Sequence, residues 1–414
     1  MPTERVLPLP AALTRGMAAV AALGLEPEFA SLGREAEPTA FVCRLRTADG
    51  TMPPMAQGVG KGRRLEARVG ALFEALEHYL TGPACFDPAT VEAIPGARVL
   101  AGPLRDEASA LLLASAPDRP LACHRYRSMA ADEQDLLVPL YLSAPWYVER
   151  QATRLRARAA DAYDYRELMR YSCNSGSAIG VTAAEALLHA LNEAIERDAF
   201  SLLLVRAFLS AAGSRLRTLD PGTLPEDSRR AHAAAQRLTG APVHLLDITS
   251  DLGVPTVLAY VPPLNGVPHR RGTGTSLCPA YALWRALTEL LQRTFAQAGT
   301  RAGADLAGLA AHPALHACGR FDLTDHLCAA ETIPFTPARG ALGPPAQQVR
   351  ELVAMVTARG YRPYYRLAAE LPGDVTVVHA IVPGLERFML VTEGNLVLPG
   401  PRGRADLPVT SETR

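Results

Sequence analysis

The sequence predicts a mixed α/β chain, and three kinds of segment predict it. Short apolar runs bounded by turn residues read as strands, and longer runs with helical periodicity read as helices. In three places a stretch of Gly, Ser and Thr leads directly into a helix carrying carboxylates and arginines. A chain of 414 residues that is 48% hydrophobic and 20% charged can bury one large core or two ordinary ones.

The elements are taken in chain order. Residues 17–25 are too short an apolar run, preceded by Pro10 and Arg15, for an export signal, and read as a helix within an N-terminal accessory arm, 1–37. Residues 41–46 read as a strand entering a tight turn at Ala48-Asp49-Gly50. Residues 58–79 read as a glycine-rich turn before a helix. Residues 136–141 are strand-like, with Pro139 confining them to a sheet edge, and 150–165 are charged and helix-compatible. Residues 172–198 are a Ser/Asn/Gly loop opening a helix. Residues 243–247 and 256–261 read as strands joined by the Asp251-Leu252-Gly253 turn. Residues 272–292 are a third small-residue loop and helix, with Pro279 in the first turn. Residues 347–359 form an amphipathic helix stopped by Gly360, and 375–382 a buried strand ending at Pro383-Gly384.

The three loop-to-helix segments carry the chemistry. With Thr182 as the helix start, Glu185, His189, Glu193 and Glu196 lie within roughly 80° of one another at 100° per residue, while Ala186, Leu187, Leu191, Ala194 and Ile195 form the apolar side. The acidic side is therefore expected to face solvent, a partner or a site, and three glutamates on it repel unless cations intervene. A solvated helix face is the plain alternative. Glu74 and Glu77, at i and i+3, share a face of another helix. Lys61 is the only lysine among 42 basic residues and is flanked by Gly60 and Gly62. An ammonium is a compact point charge for phosphate, and glycines let the backbone come close. No Ser or Thr follows Lys61 and Met55 stands where a first glycine would be, so the segment is not a Walker A loop. Arg285, Glu289 and Gln292 fall on one face of the third helix. Carboxylates gathered from two helices suit Mg²⁺, which takes oxygen ligands, keeps waters and bridges to phosphates. Lys61, Arg197 and Arg285 would neutralise those phosphates, making Mg-ATP the inferred ligand.

These blocks resemble the YcaO domain family. Gly60-Lys61-Gly62 with Glu74 and Glu77 resembles its first block, and Ser175-Gly176-Ser177-Ala178-Ile179-Gly180 with Glu185 and Glu193-Ala194-Ile195-Glu196-Arg197-Asp198 resembles its second. Gly272-Thr273-Gly274 with Arg285-Ala286-Leu287-Thr288-Glu289-Leu290-Leu291-Gln292 is similar to the third, and 247–255 to the segment between them. Gly70 stands where the family often has serine, His78 where it often has arginine, and Ser175 in the usual asparagine place, with Asn174 just before it. The resemblance covers 38–400 and leaves a C-terminal tail, 401–414. It implies a mixed α/β fold with mixed sheets flanked by helices and no P-loop. It implies nucleotide binding by Lys61, Asn174, Ser175, Glu185, Arg197, Arg285, Glu289 and Gln292. It places Mg²⁺ on Glu74, Glu77, Glu193 and Glu196, and makes Lys61, Arg197 and Arg285 catalytic.

The function that the resemblance implies is ATP-dependent phosphorylation of a backbone amide oxygen in a ribosomally made precursor peptide. The first expectation is cyclodehydration of Cys, Ser or Thr to an azoline in natural-product biosynthesis. Thioamidation or amidine formation is the alternative, and a non-catalytic scaffold is the alternative of another class. Many azoline-forming members end in Pro-x-Pro-x-Pro, whereas this chain has Pro399-Gly400-Pro401 and runs on. Residues 1–37 and the tail are small for a leader-binding module, so a partner is expected, either E1-like with a leader-recognition element or TfuA-like. A homodimer is compatible with the sequence.

Composition narrows the rest. Net charge is zero, with 42 basic and 42 acidic residues, which gives no electrostatic footprint for nucleic acid or an anionic membrane. No stretch of about 20 apolar residues could span a bilayer. Seven cysteines, an odd count without C-x-x-C, read as free thiols of a cytoplasmic protein. His312, His316, Cys318, His326 and Cys328 match no standard zinc spacing, Cys173 reads as a small buried residue, and His189 as a structural histidine or a proton relay.

Overall fold

A computed structural model describes residues 4–33, 37–130, 134–210, 215–264, 266–296, 304–337 and 341–407. The expected final run 408–414 lies outside the described residues. The chain divides into two compact units that interleave along the sequence. The first comprises 1–105, 111–194 and 338–383, the second 106–110, 195–337 and 384–414.

In chain order, the first unit begins with helix α1 (Leu9–Ala22), strands β1 (Leu25–Ser31), β2 (Thr39–Thr47) and β3 (Gln57–Gly62), and helix α2 (Arg64–Thr81). Strands β4 (Val91–Pro95), β5 (Pro120–Ser128), β6 (Leu136–Pro139) and β7 (Ser177–Gly180) come next. Helix α3 (Ala183–Phe208) then runs for 26 residues from one unit into the next. The second unit adds β8 (Arg217–Leu219), helix α4 (Glu226–Thr239), β9 (His244–Asp247), β10 (Thr256–Val261), β11 (Arg270–Thr275), helix α5 (Pro279–Ala296) and β12 (Glu331–Ile333). Helix α6 (Pro345–Ala358), β13 (Tyr364–Leu371) and β14 (Val375–Ile381) return to the first unit.

In the first unit, β1-β2-β3 form an antiparallel sheet, and a second sheet runs β4-β5-β13-β14-β7 with β6 paired to β5. β14 is buried at every position, as its unbroken apolar run predicts. Its core joins α1, β2, α2, β7 and β14 through Val20, Cys43, Leu45, Leu72, Leu76, Ile179 and Val377. In the second unit the sheet order is β11-β10-β9-β8-β12, and its core gathers Ala231, Leu245, Ala259, Leu283, Leu287 and Leu290 from α4, the sheet and α5. Gly240, at φ +66°, closes α4 in the left-handed conformation that glycine adopts without penalty.

Most of the expected glycine-rich loops are strand, although 172–176 keeps its loop and turn. The tips of small residues before α2, α3 and α5 are β3, β7 and β11, each followed within a few residues by its helix. The reason is close approach of helix backbone to strand backbone. A Cβ on Gly60 would stand 1.9 Å from the Ala67 carbonyl oxygen, and one on Gly58 2.3 Å from the Ala75 nitrogen. Gly272 and Gly274 meet the backbone of α5 in the same way, at 2.3 Å and 2.2 Å from the carbonyl oxygens of Ala286 and Ala282. Gly180 would meet the Ala186 nitrogen at 2.6 Å. Glycine is selected here for its missing side chain, and no turn is involved.

Two other expectations are corrected. The helix expected at 17–25 begins earlier, at Leu9, with Pro10 in its first turn, where its missing N–H does no harm. The helix expected over 150–165 shrinks to Thr153–Arg158 after a 3-10 turn, because Ala160 takes φ +52° and Asp161 turns inward to accept the hydroxyls of Tyr147 and Tyr165 at 2.9 Å and 2.7 Å. The edge position of β6, the turn at Gly253 (φ +75°) and the stop at Gly360 (φ +87°) agree with the sequence reading.

Gly60→Ala should cost at least about 3 kcal/mol, since the added methyl overlaps helix backbone that cannot repack. Gly70→Ala, whose Cβ would come no nearer than 3.4 Å to Gly60, should hold or slightly raise stability by filling a helix interior. Urea denaturation of both variants checks this, and equal losses would contradict the close-approach account.

Candidate functional site

The predicted residues gather in two groups, one in each unit. In the first, the alternation of β3 turns Gly58, Gly60 and Gly62 toward burial and leaves Gln57, Val59 and Lys61 on the more open side. Lys61 pairs with Ala40 across β2. Because α2 lies so close to β3, the Glu74 side chain reaches the strand backbone, and its Oε2 accepts the Val59 N–H at 3.1 Å. His78, one turn on, bonds through Nδ1 to the Gln57 carbonyl at 2.7 Å, which makes Nδ1 the protonated nitrogen and leaves Nε2 3.9 Å from Glu74 Oε1.

Glu77 is partly exposed, yet burial, then the charge of Glu193, then that of Glu74, pushes its carboxyl well above the ordinary value of 4.5. Like charge from α2 and α3 thus adds to burial in raising this carboxyl. Glu193 also accepts the Gly176 N–H at 3.4 Å, and Gly176, at φ +97°, is held against the Ala380 carbonyl oxygen, 2.1 Å from where a Cβ would be. Asn174 is exposed and Ser175 half-buried just before β7.

Helix α3 is not a surface helix. On the side expected to face solvent, a partner or a site, Glu185 and Glu196 are buried, at 4% and 3% exposed, and His189 and Glu193 are half-buried, so it is not a solvated charged face. Thr182 caps the helix by accepting the Glu185 N–H at 3.3 Å. Glu185 Oε1 accepts from Arg5 Nη1 at 2.8 Å, whereas its Oε2 is buried with no partner. A buried carboxylate oxygen in that state costs stability unless a donor or cation meets it.

In the second unit, Glu196 Oε1 accepts the Thr273 hydroxyl at 2.7 Å and stands 3.9 Å from Arg197 Nη1, while its Oε2 is buried without a partner. Thr273 can reach because it alternates with Gly272 and Gly274, which face α5. On α5, Glu289 is bridged by Arg293 through Nε at 3.1 Å and Nη2 at 3.0 Å, with Arg285 and Gln292 on the same helix. Arg271 lies over the Phe200 ring at 4.3 Å and donates to the Thr392 hydroxyl at 2.8 Å. Burial, then the nearby charges of Arg293 and Arg197, pulls its guanidinium down to about 9. Asp198, fully buried, is held by Arg402 through Nε at 2.7 Å and Nη2 at 3.0 Å and by the Glu386 N–H at 2.9 Å. Burial raises its carboxyl and Arg402 opposes that rise. Glu386 in turn accepts the amides of Gly400 and Gly403, fastening the 399–404 segment.

Sequence reasoning missed Asn192, Arg5, Thr273 and Arg271. Asn192 comes seven residues after Glu185 and four before Glu196, so the helical period that selects the glutamates also selects it; only its lack of charge passes it over. Among the described residues, no three His, Cys, Asp or Glu side chains are clustered tightly enough to hold a metal unaided. That suits an ion that keeps waters and takes substrate phosphate oxygens, and the like-charge strain on Glu77 fits a cation nearby. The His312, His316, Cys318, His326 and Cys328 set is likewise no metal cluster, and all seven cysteines are free. Among the described residues no helix is long and apolar enough to cross a membrane.

Comparison with known proteins places this geometry. A family model described as YcaO cyclodehydratase, ATP- and Mg²⁺-binding, matches residues 59–386. An uncharacterized protein in the tfuA 3′ region of Rhizobium leguminosarum bv. trifolii is 28% identical over 225 residues, 51% of this chain and 52% of the relative. The chain spans about half the length of the curated relatives it matches. The structure of YcaO from Methanopyrus kandleri bound with AMPPCP and Mg²⁺ is similar over 95% of both chains, at 19% identity and a TM-score of 0.66. A heterocyclase in complex with substrate and cofactor is similar over 94% of this chain and 54% of the other, at 17% identity and a TM-score of 0.62. At such identities the structural likeness is one of fold.

Glu77→Gln supplies a test of the charge strain. A folded-state carboxyl raised above its unfolded value binds a proton that the unfolded chain has lost, so it lowers stability as pH climbs from 4.5 through the raised value. Melting temperatures of the metal-free protein should therefore fall over that window, and Glu77→Gln should flatten the fall. Parallel curves for the two proteins would contradict it.

Proposed function

The chain belongs to the YcaO family, whose domain binds ATP and Mg²⁺, and from that membership we propose that it is an enzyme that phosphorylates a backbone amide oxygen in a ribosomally made peptide. The observation that carries the reading is the pair of buried glutamates on α3, Glu185 and Glu196, each with a carboxylate oxygen that has no partner. Buried, unneutralised oxygen ligands suit a divalent cation and the donors that accompany a nucleotide.

In this reading Glu74, Glu77, Glu193 and Glu196 hold Mg²⁺, which would offset charge on the transferring phosphoryl group. Lys61, Asn174, Ser175, Glu185, Arg197, Arg285, Glu289 and Gln292 bind the nucleotide, with Lys61, Arg197 and Arg285 facing the phosphates during transfer. A nucleophile adds to the amide carbon, and the resulting hemiorthoamide oxygen takes the γ-phosphoryl group, releasing ADP. The C–O bond then breaks and inorganic phosphate leaves with the former amide oxygen. The amide oxygen needs this help because it is a very poor leaving group until phosphorylated.

With a neighbouring Cys, Ser or Thr side chain as nucleophile, the product is an azoline, a cyclodehydration of the kind the description of the family model names. Thioamidation is the second reading, favoured by the Rhizobium relative, which is named for its place in a tfuA region. A partner protein that presents the peptide, E1-like in the first case or TfuA-like in the second, completes either reading.

Glu193→Gln and Glu196→Gln should each lower affinity for Mg-ATP by at least about tenfold in calorimetry, as loss of a metal-site carboxylate does, with circular dichroism unchanged. Unchanged affinity in both would remove the site. Mass spectrometry of a precursor peptide incubated with the chain, its partner and Mg-ATP separates the two chemistries. Azoline formation removes about 18 Da per site and oxygen-to-sulfur exchange adds about 16 Da, from the atoms exchanged at the activated amide. A peptide of unchanged mass, with ATP hydrolysed at the same rate in its absence, would count against amide activation.

A further inference from the structure

Helix α3 carries a polar side chain that neither its own fold nor the proposed glutamates explain. Asn192 is 0% exposed, and neither its Oδ1 nor its Nδ2 has a hydrogen-bond partner. A buried carboxamide with both ends unmet is among the costliest neutral groups to retain in a core, and an apolar side chain would avoid that cost. On one side it is flanked by apolar residues of the helix, with Leu188, Leu191 and Ile195 all buried. Packing therefore gives no reason for an amide here.

Its position gives one. At 100° per residue Asn192 lies within roughly 20° of Glu185 and 40° of Glu196 around the helix, about 10 Å of helical rise from Glu185 and about 6 Å from Glu196, while Glu193, next in sequence, points about 100° away. The atoms without partners along this stripe are Glu185 Oε2, Asn192 Oδ1 and Glu196 Oε2, which are acceptors, and a single donor, Asn192 Nδ2. Hydrogen bonds among themselves cannot satisfy a set so rich in acceptors. A divalent cation beside Asn192 and Glu196, about 6 Å of rise apart, would meet their oxygens, and a phosphate oxygen would meet the one N–H; Glu185, about 16 Å of rise from Glu196, is too far along the helix to share that ion. An adenine edge, by contrast, would present donors and acceptors in nearly equal number to a stripe that mostly needs donors or cations.

We propose that Asn192 is a further ligand-facing residue of the Mg²⁺–nucleotide site, its Oδ1 directed to the divalent cation and its Nδ2 to a phosphate oxygen. This rests on the reading of the chain as an Mg-ATP-binding YcaO enzyme and adds a residue to it. Asn192 is neutral, so it offers an oxygen ligand without adding a further negative charge beside Glu196.

The experiment measures binding of a non-hydrolysable ATP analogue by calorimetry, with and without Mg²⁺, alongside melting temperature, for the wild type, Asn192→Leu and Asn192→Asp. Asn192→Leu should melt at or above the wild-type temperature without ligand, because it removes an unmet buried amide, and should bind the Mg²⁺-analogue complex at least about tenfold more weakly. Asn192→Asp should melt lower without Mg²⁺ and bind Mg²⁺ several-fold more tightly, since it adds a carboxylate to the cation's ligands. Wild-type affinity in Asn192→Leu would overturn the proposal and make the amide a structural group. Should that variant not fold, unchanged or weaker Mg²⁺ affinity in Asn192→Asp would overturn it equally. Failure of the wild type itself to bind the Mg²⁺-analogue complex would overturn the broader reading of the site, a result distinct from either.

Discussion

The close seating of a helix on the strand that precedes it governs where the polar groups of both units can reach. Where Gly58 and Gly60 admit the backbone of α2, the helix comes near enough for Glu74 to accept a strand amide and for His78 to reach the Gln57 carbonyl. Where Gly272 and Gly274 admit α5, Thr273 is left on the opposite side of its strand, bonded to Glu196. Any side chain at the glycines would lift the helix away and withdraw these polar groups together. The same arrangement at Gly180 and α3 argues that strand, glycine and charged helix form one recurring unit, which the sequence presents three times.

A second constraint is electrostatic. Helix α3 places carboxylates in surroundings that hydrate them poorly, and the fold leaves oxygens of Glu185 and Glu196 without donors while burial and like charge raise the Glu77 carboxyl. Hydrophobic burial elsewhere, in the cores built on Leu72, Leu76, Leu283 and Leu287, must outweigh that cost in the metal-free protein. A cation would relieve it, so binding and stability are coupled through the same few side chains.

Much of this is legible in the sequence, for physical reasons. Strands such as β10 and β14 are continuous apolar runs, α5 carries its own start residue in Pro279, and α6 carries both Pro345 at its start and Gly360 after its end. The charged blocks point to the family because residue type and spacing survive translation into structure. The strand character of 57–62 and 270–275 is hidden, because a glycine packed against a helix and a glycine in a loop look alike in one dimension. The burial of α3 is hidden too. Its charged residues suggest an exposed side, and only tertiary packing decides whether a glutamate faces water. Asn192 is obscured by its lack of charge, although its spacing marks it as plainly as that of Glu185. The 150–165 segment departs from expectation for a different reason: Asp161 finds two tyrosine hydroxyls, and that local competition outweighs a modest helical preference.

The clamp of Arg402 on Asp198 joins positions 204 apart in sequence, within a segment that Glu386 fastens through the amides of Gly400 and Gly403. During synthesis on a ribosome, the helix bearing Asp198 is therefore made long before the guanidinium that neutralises it. Until residue 402 emerges, that carboxyl has neither its bidentate partner nor the turn that shields it, and its burial is opposed by the full cost of an unpaired charge. The half of α3 that holds Glu196 and Arg197 therefore depends, for the neutralisation of its buried aspartate, on a guanidinium made 204 residues later.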